Sequence, residues 1–86
     1  MKMGKIARQK TTIIIPIWRE YAERIGSSLF VEQSQGKIDI LLIIPKRVEI
    51  SEEDTEIKLA LGLAAYVGIE IAENELQMSV SYFVKI

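Results

Sequence analysis

Lys5, Arg8, Lys10 and Arg19 are the side chains whose type and spacing best suit chemistry in this sequence. Cations in a polar arm ahead of an apolar run can neutralise phosphates, and arginine can also read guanine in the major groove. These four are the candidate DNA contacts; the alternative is a set of solvated charges on a small protein. Their setting is asymmetric. Met1 to Arg24 holds six basic residues against two acidic ones, a net of +4, whereas Val48 to Met78 holds eight acidic residues against Lys58, a net of −7. The whole chain sums to −1, so the distribution is informative where the total is not.

Other chemistries find little material. There is no cysteine and no histidine. Disulfides are excluded, nucleophilic triads lack their usual base, and only carboxylates and backbone oxygens remain for a metal, which argues against a structural zinc. Glu52, Glu53 and Asp54 form an acidic cluster, but they sit where a helix start favours negative charge. The five glycines are isolated and build no phosphate loop. Trp18 and Tyr21 have the ring faces to stack on bases, yet their helical spacing with Ala22 and Ile25 suits a core stripe. The expectation is a protein with no catalytic residues, no cofactor, no metal and no small-molecule substrate.

The elements that must carry these residues can be read in order. Eighty-six residues make one domain, which buries only about 60% of its unfolded surface and gains from assembly. A homodimer or higher homo-oligomer is therefore expected. The composition, 49% hydrophobic and rich in isoleucine, also fits a thermophile. No apolar run approaches the roughly 18 residues of a membrane span, and no signal-peptide pattern is present, so a cytoplasmic protein without a membrane partner is expected.

Residues 1–10 read as a basic arm, either flexible or opening a short strand at Ile6-Ala7. Residues 11–17 are β-branched almost throughout and read as a strand stopped by Pro16. Trp18 to Gly26 reads as a two-turn helix with glycine at its end. Residues 28–34 and 37–44 read as a hairpin around Gln35-Gly36, and Val48 to Ile50 as a short bridge strand. A buried helix is expected over 52–67, capped by Ser51 in a capping box with Asp54 and closed by Gly68. The tail, 69–86, reads as a hairpin turning at Ala72 to Glu75, with clean period-two alternation from Leu76 to Ile86. Phe83 breaks that pattern and reads as cover for an exposed patch or as a partner contact.

Arg8-Gln9-Lys10, Thr12-Ile13-Ile14-Ile15-Pro16, the helix Trp18 to Gly26 and the hairpin Leu29 to Ile44 around Gly36 resemble the AbrB/MazE swapped-hairpin DNA-binding family. The resemblance runs over residues 10–47. It implies a swapped-hairpin-like β-α-ββ unit (11–47); with the buried helix and C-terminal β-hairpin read over 48–86 as an extension, the fold expected is α+β. The resemblance also implies a homodimer in which Arg8, Lys10 and Arg19 touch DNA. The alternative architecture is a ferredoxin-like βαββαβ sandwich. Its first crossover is difficult, because about nine helical residues span roughly 13 Å against roughly 23 Å for a seven-residue strand. The function expected is a small dimeric DNA-binding transcriptional regulator or antitoxin-like factor. The alternative is a protein-interaction or oligomer-forming module of viral or plasmid type that binds no nucleic acid.

Overall fold

The computed structural model describes residues 2–50 and 54–84, with side chains from residue 13 onward. The elements run α1 (Lys2–Ile25), β1 (Ser28–Ser34), β2 (Lys37–Pro45), α2 (Thr55–Gly62), β3 (Tyr66–Ile71) and β4 (Glu75–Phe83). The fold is α+β. Its four strands form one antiparallel sheet in the order β1-β2-β4-β3, open rather than closed into a barrel.

The expected strand at 11–17 is helix. α1 is continuous from Lys2 to Ile25 and carries Pro16 inside it. Ile14, Trp18, Tyr21 and Ala22 are buried, extending backward by one turn the stripe that starts at Trp18, while Ile13 faces solvent. Four buried side chains at helical spacing outweigh the helix penalty of β-branched residues, which is at most about 0.7 kcal/mol each. Pro16 supplies no N–H to the Thr12 carbonyl, a defect worth about 3 kcal/mol in a helix interior. It lies on the exposed side of α1, where water can hydrate the freed carbonyl. The first strand of both the swapped-hairpin-like unit and the ferredoxin-like order is thereby replaced, and the observed sequence of elements is αββαββ.

The C-terminal end of α1 follows the sequence. Gly26 has φ of 71°. Its N–H donates to the Glu23 carbonyl at 3.3 Å and the Ser27 N–H to the Ala22 carbonyl at 2.9 Å, the paired bonds of a Schellman cap. The first hairpin forms as expected, with Ser34 paired to Lys37 and Gly36 at φ 77°.

The second half departs in two places. No strand forms at Val48 to Ile50, where the Val48 and Ile50 side chains instead lean on the core. α2 has eight residues, and Asp54 is its N-cap, with Oδ1 accepting from the Glu56 N–H at 3.0 Å. Ser51, Glu52 and Glu53 lie outside the described residues. The helix stops at Gly62 because Tyr66 to Ile71 pairs with β4 as an edge strand. Gly68 is thus a strand residue, not a helix cap. The Tyr66 ring lies over it, and a Cβ there would sit 2.8 Å from the Tyr66 hydroxyl. The C-terminal hairpin itself forms as expected.

One face of the sheet carries the core. Ile38, Ile40, Leu42 and Ile44 of β2 and Met78, Val80 and Tyr82 of β4 are buried. They meet Ile14, Trp18, Tyr21 and Ala22 of α1 and Ile57 and Ala60 of α2 in a single cluster. The expectation of an all-round buried second helix fails here: Leu59 on α2 is half exposed. The opposite face of the sheet is open.

Candidate interaction surface

The helices are fixed to the sheet by a buried polar relay. Trp18 Nε1–H donates to the Tyr82 hydroxyl at 2.6 Å, and that hydroxyl donates to the Ala60 carbonyl at 2.9 Å. Three elements, α1, β4 and α2, share one hydroxyl. Burial pushes the Tyr82 phenol above its ordinary range, opposed in part by the bond from Trp18. A second tie lies at the rim, where the Arg24 guanidinium donates to Asp54 Oδ2. That bond holds the Asp54 carboxyl below its usual range, helped by the Glu56 N–H and opposed by desolvation. Arg24 also lies 5.9 Å from the centre of the Tyr21 ring, within cation–π range. These contacts belong to the scaffold and leave the sheet's outer surfaces free.

The open face follows from register. Phe30 lies opposite Leu41, and Leu41 opposite Ser79. Together with Ser81, Glu32 and Asp39 they line a shallow depression of about 510 Å³. At one end the Ser81 hydroxyl donates to Asp39 Oδ1 at 2.6 Å, and Lys37 Nζ lies 3.6 Å from the same oxygen. Phe30 and Phe83 are exposed on this face, as is Tyr66. Among the described strand residues, alternation places Glu32, Asp39, Glu70 and Glu75 here against Lys37 alone. The face is therefore aromatic and acidic, and four carboxylates against one ammonium oppose a phosphate backbone.

The third surface is β3. Val67, Ile69 and Ile71 pair with Val80, Met78 and Leu76, so they point to the core-bearing side. They nonetheless remain 42%, 56% and 78% exposed. With Tyr66, four of the eight exposed large apolar side chains described in the molecule belong to this six-residue strand. β3 is also a sheet edge with no lysine or proline to blunt it.

The four expected DNA contacts all fall on α1. Positions 8 and 19 are three turns apart, about 16 Å along the axis, and position 5 shares their side by helical register. Position 10 falls half a turn away, so the backbone groups Lys5, Arg8 and Arg19 and sets Lys10 apart. The Arg19 side chain is exposed. Among the described residues no group of three acidic, histidine or cysteine side chains is placed to hold a metal, and no described helix is long and apolar enough to cross a membrane. No family model, curated protein or solved structure matches the chain. Of β3, Ile69 to Ile71 fall in the hairpin expected from sequence, Tyr66 to Gly68 do not, and the exposed apolar side of the strand is what the sequence reading missed. Its signal was present in the alternation of Val67, Ile69 and Ile71 with Gly68 and Glu70, but it followed directly on an apolar helical run.

Proposed function

We propose that this chain is a protein-interaction module that assembles through the apolar side of β3. The observation that carries the reading is the exposure of Val67, Ile69 and Ile71 on the core-bearing face of an edge strand without lysine or proline. Each square ångström of such surface removed from water contributes about 25 cal/mol. An edge left this way in water is an aggregation hazard. The acidic open face also favours a protein over a nucleic acid as the partner of the sheet. Light scattering on the purified chain and on Ile69→Lys tests the reading. The expected result is a wild-type mass above that of one chain at micromolar concentration, falling to one chain in the variant. A monomeric wild type overturns it.

A second reading is supported by α1. From Lys2 to Arg19 this single helix holds five basic residues and no acidic one, and an α-helix fits the major groove. In this reading the protein is a dimeric transcriptional regulator or antitoxin-like factor, with Arg8 and Arg19 on phosphates and Lys5 beside them. A gel shift across a salt series tests it. Arg8→Ala with Arg19→Ala should weaken binding and lower the salt slope by about one per contact removed; no shift at low salt refutes it.

A further inference from the structure

We infer that β3 pairs antiparallel with β3 of a second copy about a two-fold axis at Ile69, joining two sheets into one of eight strands. This rests on the reading of β3 as the assembly surface and names its occupant. The backbone sets the geometry. The Ala72 N–H donates to the Glu75 carbonyl at 2.9 Å, and those two residues continue the β3–β4 register. Bonding alternates along an antiparallel pair, so Gly68 and Glu70 turn their backbone groups to β4. Val67, Ile69 and Ile71 turn theirs to the free edge. The residues with apolar side chains in water are the same ones that offer unpaired N–H and C=O groups.

Self-pairing then has one favourable register. With Ile69 on the axis, Ile69 faces Ile69 of the second copy and Val67 faces Ile71, so six aliphatic side chains form one cross-strand cluster. Glu70 faces Gly68, which has no side chain to oppose it. Moving the axis to Glu70 sets two like charges opposite each other, which is destabilising. Moving it to Gly68 leaves Ile71 opposite Ala65, which precedes the strand.

Engineered cysteines test the register on the full chain, which has none of its own. A hydrogen-bonded antiparallel pair holds its Cα atoms about 5.5 Å apart, within disulfide reach. Ile69→Cys should give a covalent dimer on a non-reducing gel after mild oxidation. Val67→Cys and Ile71→Cys should each stay monomeric alone on that gel and cross-link when mixed. All three positions are exposed in the single chain, and circular dichroism checks that each variant folds. No covalent dimer from Ile69→Cys, with a wild-type mass above one chain, overturns this pairing and leaves the assembly reading intact. Cross-linking of Val67→Cys with Ile69→Cys instead moves the axis to Gly68 and overturns the register. A wild-type monomer overturns both.

Discussion

Replacing Tyr82 with phenylalanine removes one oxygen from the centre of the molecule. That oxygen accepts from Trp18 Nε1–H at 2.6 Å and donates to the Ala60 carbonyl at 2.9 Å. Trp18 and Tyr82 are 0% and 1% exposed, so water cannot take the hydroxyl's place without opening the core. The Ala60 carbonyl keeps a bond from the Leu63 N–H at 3.3 Å and loses little. The cost falls on the indole N–H, left buried and unpaired, which is worth about 1–3 kcal/mol. Against a total stability of about 4–13 kcal/mol for a domain of this length, a loss near 2 kcal/mol is large. It lowers the melting temperature by about 8–16 °C, read by circular dichroism, with urea titration for the free energy. Trp18→Phe removes the donor and leaves the hydroxyl bonded to Ala60. In the double variant the orphaned N–H is gone, so the two losses should fall short of adding by about 1–2 kcal/mol. Additivity within about 0.5 kcal/mol, or a Tyr82→Phe loss below that size, would refute the relay as a structural tie.

Pro16→Ala should stabilise the chain by about 1–3 kcal/mol, because it restores an N–H inside an exposed stretch of helix; a lower urea midpoint would speak against helix at this position. Gly36→Ala should cost about 1–2 kcal/mol, since φ of 77° crowds a Cβ against the following carbonyl; thermal melts measure it, and no change would mean that the turn rearranges. Asp54 has a folded pKa below its ordinary value, so its contribution is fully present above the unfolded pKa of about 3.9 and is lost as pH falls further through the depressed folded value. Asp54→Asn keeps a capping side chain and should flatten the fall in melting temperature below about pH 4; an identical acid profile in the two proteins contradicts the assignment.

Local stereochemistry made several features legible in the residues alone. Gly26 and Gly36 take positive φ, as glycine does at low cost. Met78, Val80 and Tyr82 alternate with Gln77, Ser79 and Ser81 in a period that only a half-buried strand satisfies. Trp18, Tyr21 and Ala22 lie on the stripe that their spacing requires. In these places one conformer is favoured by its immediate neighbours, and the fold agrees with it. The run Thr11 to Ile17 was different. Its β-branched residues prefer a strand by tenths of a kcal/mol each and Pro16 costs a helix interior about 3 kcal/mol, whereas burying Ile14 and packing Ile15 and Ile17 against the core contributes up to about 1.5–3 kcal/mol per side chain. That larger quantity depends on β2, β4 and α2 being in place, so tertiary packing decided it.

The same holds for residues 66–68, where pairing with β4 converted the end of an apolar helical run and its expected glycine cap into the start of an edge strand. The candidate interaction surface was not legible for that reason. Val67, Ile69 and Ile71 are ordinary apolar residues in the sequence. Their importance lies in being uncovered, and exposure is a property of the assembled sheet.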